Sequence, residues 1–219
     1  MATAPLSLHY LIRPSSLRNA KPPAIFLFHG YGSNEDDLFS FAPELPDQLC
    51  VISVRAPYPA PPFGFAWYAI NFNADFGKWS DVAQAKSSIE KIVTFIKEAI
   101  EVYKLDVSSI TLLGFSQGTV LSLAVALSYP NLIRNVVALS GYIDENTLIP
   151  DYKENDHSHL KIYVSHGQVD PVIPLAWAQR SPPLLDTLGI DYQYEEYPTG
   201  HGVSPQNFYS LRTWLQDKI

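Results

Sequence analysis

The chain has 219 residues, of which 47% are apolar and 17% charged, a balance that suits a globular protein with a sizeable core and excludes a disordered one. Its 15 Lys and Arg against 22 Asp and Glu leave a net charge of −7, and no basic cluster offers a footing for nucleic acid or an anionic membrane. The single cysteine, Cys50, excludes an intrachain disulfide and reads as a core thiol. The opening MATAPLSLHYLIRPSS lacks the charged and apolar regions of a signal peptide, and no apolar run is long enough to span a bilayer. The expectation is one cytoplasmic domain, 1–219, without stable membrane insertion.

Short apolar, β-branched runs recur along the chain: LHYLI near residue 10, AIFLF at 24–28, CVISV at 50–54, ITLL at 110–113, NVVAL at 135–139, LKIYV at 160–164 and YQYEEY at 192–197. Several are continuously apolar, as expected of strands covered on both faces. Between them, 82–103 carries Ile89, Ile92, Val93, Ile96 and Ile100 at spacings of three and four, an amphipathic helical stripe. Residues 117–128, 174–188 and 205–218 also read as helices. This alternation predicts an α/β fold with a mostly parallel central sheet and helices on both faces. The segment from Ala56 to Ser80 has no clean period and is rich in proline and aromatics, which predicts an ordered loop near a ligand site. Residues 143–160, IDENTLIPDYKENDHSHL, read as a polar surface insertion.

The pentapeptide Gly114-Phe115-Ser116-Gln117-Gly118 lies where ITLL gives way to a helix. It fits G-x-S-x-G, a tight strand-to-helix turn that exposes a serine hydroxyl at the edge of a sheet. A serine there can cap the helix or act as a nucleophile. A nucleophile needs a base, and His201, flanked by Gly200 and Gly202 after the last predicted strand, can swing over the same edge. His166 ends a strand and reads as a supporting residue; His9 reads as structural. The base needs an acid to hold its tautomer. Asp170, shortly after LKIYV, is favoured over Asp144 and Asp186 because Ser, Asp, His is the chain order found on hydrolase sheets. Backbone N–H groups of Gln117 and of Tyr31, in the His29-Gly30-Tyr31-Gly32 turn, are the candidate donors to an oxyanion. Because these are backbone donors, side-chain changes at either position are expected to cost far less than losing Ser116.

Other chemistries find little support. His157 and His159 form no metal set with a third ligand at a recognisable spacing and read as solvated, so no metal or other cofactor is expected. Neither a dinucleotide fingerprint nor a phosphate loop is present.

Taken together, LFHGYGSNEDDL, RAPYP with GFAWY, LLGFSQGTVLSLAVAL, ALSGY, VSHGQVDPVIP and YPTGHGVSPQ resemble the phospholipase/carboxylesterase family of α/β-hydrolases, which includes the acyl-protein thioesterases. The resemblance runs from about Ala24 to the C-terminus. It implies an α/β-hydrolase fold, a Ser116–Asp170–His201 triad, Tyr31 and Gln117 at the oxyanion, and a cofactor-free esterase or thioesterase. The run HGYGSN, where the thioesterase branch tends to carry HGLGD, is closer to the bacterial carboxylesterases. The expected activity is hydrolysis of carboxylic esters with small or medium acyl chains, with a lysophospholipase or acyl-thioesterase as the alternative. A non-catalytic binding protein on the same fold would have lost a triad member or an elbow glycine. Phe63, Phe65, Trp67, Trp79 and Val172 are the expected pocket residues, with Trp67 at the rim. A symmetric homodimer is compatible with the sequence, although no exposed apolar element marks an interface.

Overall fold

The computed structural model describes residues 6–18, 20–73 and 77–219, with backbone only at 71–73 and 77–79. In chain order the elements are β1 (Tyr10–Arg13), β2 (Ala24–Phe28), α1 (Glu35–Phe39), β3 (Cys50–Val54), β4 (Tyr58–Pro59), β5 (Phe65–Ala66), β6 (Ile70–Asn73), β7 (Gly77–Ser80), α2 (Val82–Tyr103), β8 (Ile110–Phe115) and α3 (Gln117–Ser128). There follow β9 (Asn135–Leu139), β10 (Lys161–Gly167), α4 (Leu175–Ala178), α5 (Ser181–Thr187), β11 (Asp191–Tyr197) and α6 (Pro205–Lys218). Seven strands form one sheet in the order β1-β3-β2-β8-β9-β10-β11. Every pair is parallel except β1 with β3.

The side-chain period of two explains the layers. Along β2, Ala24, Phe26 and Phe28 enter one core with Ile92, Phe95 and Ile96 of α2 and Leu121 of α3. Ile25 and Leu27 point the other way, into a second core with Leu38 of α1 and Leu211, Trp214 and Leu215 of α6. Both faces are therefore covered, and this is why the strand sequences are apolar throughout. The predicted stripe on α2 is buried at all five of its positions.

Three segments differ from the sequence reading. The single helix expected over 174–188 is two, α4 and α5, because Pro182 and Pro183 occupy the first turn of α5. Proline lacks the N–H that a continuous helix needs and is tolerated only at a helix start. Residues 143–160 are not a free surface insertion: Leu148, Tyr152 and His157 are buried. The rings of His157 and His159 donate to the carbonyls of Leu127 and Pro130, tying the segment to the end of α3. They are anchors rather than solvated histidines. Finally, the described residues of the proline- and aromatic-rich segment, expected as an ordered loop, include two antiparallel ribbons, β4 with β5 and β6 with β7.

Candidate active site

In a parallel sheet the carboxyl ends of the strands share one edge, and ligand sites collect there. In the register, Phe28 of β2 lies beside Gly114 of β8, and Phe115 beside Leu139 of β9. The turn that follows β2 therefore abuts the turn that follows β8, which holds Ser116. The loops carrying Asp170 and His201 leave β10 and β11 at the same edge.

The elbow at Ser116 is built by close backbone approach. Ser116 has φ 54° and ψ −115°, left-handed backbone that a side-chain-bearing residue rarely adopts. A Cβ at Gly114 would sit 2.4 Å from the carbonyl carbon of Gly118, and one at Gly118 would sit 1.9 Å from the Phe28 carbonyl oxygen. Only glycine lets α3 begin this close to β2 and β8. Ser116 stands at the cap position of α3 but makes no side-chain cap hydrogen bond, so its hydroxyl is not spent on the helix. Gln117 is the first residue of α3, and first-turn N–H groups have no intrahelical partner. An ideal Cβ on Gly30 would lie 3.3 Å from Cβ of Ser116, so the Gly30-Tyr31 turn faces the elbow.

The loops of the acid and the base are hydrogen-bonded together. Gln168 N–H donates to the Tyr197 carbonyl at 2.8 Å, and Val169 N–H to that of Thr199 at 3.2 Å. Across this junction His201 Nδ1 donates to Asp170 Oδ2 at 2.7 Å. An imidazole with its proton on Nδ1 presents a lone pair on Nε2, the atom needed for a general base. The His201 ring packs 4.9 Å from the ring of Phe115, the residue before Ser116. Asp170 has no exposed side-chain surface. Burial alone would raise its pKa, but the hydrogen bonds from His201, Ile173 N–H and Val172 N–H outweigh it and hold the carboxyl below its ordinary range. His166 is a second histidine on this carboxylate. Its Nε2 donates to the Ile173 carbonyl at 2.9 Å and lies 3.4 Å from Asp170 Oδ2. The competing acids are engaged elsewhere: Asp144 accepts from Asn146 N–H, and Asp186 from the Tyr192 hydroxyl.

The predicted pocket residues separate into groups. Phe63 and Val172 are exposed, at 82% and 48%. Phe65 is half-buried, and its ring carries the Arg55 guanidinium 4.6 Å from its centre. Trp67 is not at a rim. It has no exposed surface, and its indole N–H donates to the His29 carbonyl at 2.9 Å. An indole buried this way satisfies its donor inward, so Trp67 belongs to the framework of the site. The side chain of Trp79 lies outside the described residues. Two clefts, one of about 470 Å³ between β11 and α6 and one of about 580 Å³ near Ile12, Cys50 and Tyr103, are lined by none of Ser116, Asp170 and His201. Among the described residues, no group of three or more His, Cys, Asp and Glu side chains could hold a metal ion.

Two contacts escaped the sequence reading. The side-chain amide of Gln117 accepts from Trp67 N–H at 2.8 Å and donates to the Tyr68 carbonyl at 2.7 Å. His29 donates Nδ1–H to the Gly30 carbonyl at 2.7 Å and accepts Ala56 N–H on Nε2 at 3.1 Å. The Gln117 partners lie 49 and 50 residues away and Ala56 lies 27 away, distances at which no local pattern carries a signal.

Compared with known proteins, residues 15–219 match the family model described as phospholipase/carboxylesterase. The chain belongs to the phospholipase/carboxylesterase family. It is 26% identical over 218 residues to acyl-protein thioesterase 1 of Debaryomyces hansenii, spanning 91% of this chain and 94% of that one. It is 31% identical over 107 residues to a probable carboxylesterase of Oryza sativa, spanning 48% of this chain and 40% of the relative. The chain spans less than two thirds of the length of the plant carboxylesterases it matches. Among solved structures, the carboxylesterase of Bacillus cereus superposes with a TM-score of 0.82 at 19% identity, covering 97% of this chain and 95% of that one. The fold is thus that of the α/β-hydrolases, as the resemblance implied. Among the described residues no helix is long and apolar enough to cross a membrane.

Proposed function

We propose that this family member is a serine hydrolase that cleaves carboxylic esters of small or medium acyl chains through an acyl-enzyme. The observation that carries the reading is the His201–Asp170 hydrogen bond, placed against Phe115 beside a serine held in left-handed backbone at the carboxyl edge of the sheet. In the mechanism, Nε2 of His201 takes the Ser116 proton as Oγ attacks the acyl carbonyl. Asp170 holds the ring and stabilises the imidazolium without itself being protonated. Tyr31 and Gln117 N–H groups receive the tetrahedral oxyanion, a role worth about 2.7–4 kcal/mol per donor in hydrolases of this kind. His201 then protonates the leaving alcohol, and water repeats the sequence on the acyl-enzyme.

Of the predicted pocket residues, the exposed Phe63 and Val172 are free to meet an acyl chain, whereas Phe65 and Trp67 are occupied by packing. A thioesterase is the second reading, favoured by the name of the Debaryomyces hansenii relative, which aligns over nearly its whole length. Labelling with a fluorophosphonate tests the class: the wild type should label near neutral pH and Ser116→Ala should not. An unlabelled wild type would end the hydrolase reading. Turnover of p-nitrophenyl esters of graded chain length, set against acyl thioesters and lysophospholipids, then separates the two readings.

A further inference from the structure

An oxyanion hole functions only when its donors converge on one point, and a misplacement of about 1 Å is enough to slow catalysis substantially. Here the two candidate donors belong to separate segments, Tyr31 to the turn after β2 and Gln117 to the start of α3. Trp67 is hydrogen-bonded to both. Its indole Nε1–H donates to the His29 carbonyl at 2.9 Å, and its backbone N–H donates to Oε1 of Gln117 at 2.8 Å.

The first bond is relayed to the donor through planar peptide units. The His29 carbonyl fixes the His29–Gly30 peptide. The His29 ring, 5.7 Å from the indole, donates to the Gly30 carbonyl at 2.7 Å and so fixes the next peptide. That peptide carries the Tyr31 N–H, which by planarity points opposite to the Gly30 carbonyl. The second bond acts on the other wall, where the Gln117 amide closes a two-point clasp with Trp67 N–H and the Tyr68 carbonyl. Trp67 itself has little freedom: its ring stands edge-on to Phe28 at 5.4 Å, and its carbonyl accepts the hydroxyl of Ser88. The adjoining strand β5 extends the hold, since Gly32 N–H donates to the Phe65 carbonyl at 2.9 Å and Phe65 N–H to that of Ser33 at 2.8 Å.

Packing alone does not account for this arrangement. Any apolar side chain could fill the space, but only an indole also places a donor on the carbonyl two residues before Tyr31. We propose that Trp67 is the positioning residue of the oxyanion hole, setting the separation and orientation of the Tyr31 and Gln117 N–H groups. The inference rests on the reading of those groups as oxyanion donors given above.

The test is Trp67→Phe, which retains an aromatic edge and the backbone bond to Gln117 while deleting the indole donor. With p-nitrophenyl acetate, kcat should fall about 10- to 100-fold while KM stays within about twofold, a loss smaller than that of an oxyanion donor itself. Affinity for a trifluoromethyl ketone, whose adduct places an oxyanion in the hole, should fall in parallel with kcat/KM. Ile96→Val, a truncation in the same core that deletes no hydrogen bond, should change neither. A Trp67→Phe enzyme with wild-type kcat, or one whose loss is matched by Ile96→Val or lies wholly in KM, would overturn the proposal. Should Trp67→Phe not fold, Gln117→Met removes the clasp on the other wall and carries the same expectation, and unchanged kcat there overturns the proposal equally. Wild type that labels with fluorophosphonate while these variants keep full kcat refutes the positioning role alone. Wild type that does not label refutes the function on which it rests.

Discussion

At Asp170 a carboxylate with no exposed side-chain surface is kept ionised by donors from two loops: Val172 and Ile173 N–H on Oδ1, and the His201 ring on Oδ2. The same atoms that lower its pKa also aim it. Asp170→Asn keeps the shape and one acceptor, but it turns an N–H₂ towards His201 Nδ1 or forces the ring into the other tautomer. In the proposed hydrolase, kcat should then fall on the order of 10³- to 10⁴-fold, a loss far larger than the accompanying drop in stability accounts for. Ester kinetics alongside a thermal melt check this, and a variant with near-wild-type kcat would remove Asp170 from the mechanism. The place of Asp170 beyond the end of a strand was legible in the sequence because it is local, a few residues past an apolar run, whereas its bond to His201 rests on the fold. Trp67 was misread for the opposite reason. An aromatic in an irregular, proline-rich segment looks the same whether it lines a pocket or braces a turn, and only its hydrogen bond to His29 tells them apart.

The elements α3 and β2 meet at Gly118. By helix propensity alone, Gly118→Ala in α3 should stabilise the protein by up to about 1 kcal/mol. The contact predicts the reverse, because the added methyl would lie 1.9 Å from the Phe28 carbonyl oxygen and 2.8 Å from that of His29. Neither backbone can retreat without breaking the sheet or the elbow, so a loss of about 1–3 kcal/mol or more is expected, with reduced fluorophosphonate labelling. Chemical denaturation measures the first, and a stabilised variant would show that the junction is looser than described. Elements with strong internal signals, such as the stripe of α2 and the apolar run of β2, were legible because one periodicity decides them. The break between α4 and α5 is readable in Pro182-Pro183, which a helix interior does not hold. The anchoring of 143–160 could not be read, since it depends on carbonyls at the far end of α3.

Across the whole molecule, two buried titratable groups set two stages of the acid limb of the stability profile. Burial lowers the pKa of His29 most, and the Gly30 carbonyl only partly offsets it. The folded protein thus resists a proton that the unfolded chain accepts below about 6.5, so stability is full above that value and declines as pH falls through it. For Asp170, depressed in the folded state, the contribution is present above about 3.9 and is lost as pH falls through the lower folded value. Melting temperature should therefore drop in two stages on acidification, and His29→Gln should flatten the upper one. A profile from pH 7 to 5 that His29→Gln leaves unchanged would contradict the assignment. Sequence alone determined the alternation of strands and helices, the order of Ser116, Asp170 and His201, and the family resemblance, because periodicity and motif are properties of neighbouring residues. Tertiary structure decided which carboxylate meets His201, that the Ser116 hydroxyl does not cap α3, and that Trp67 bonds both the His29 carbonyl and the Gln117 side chain. These depend on contacts between segments many residues apart, which the register of the parallel sheet brings together and no local pattern encodes.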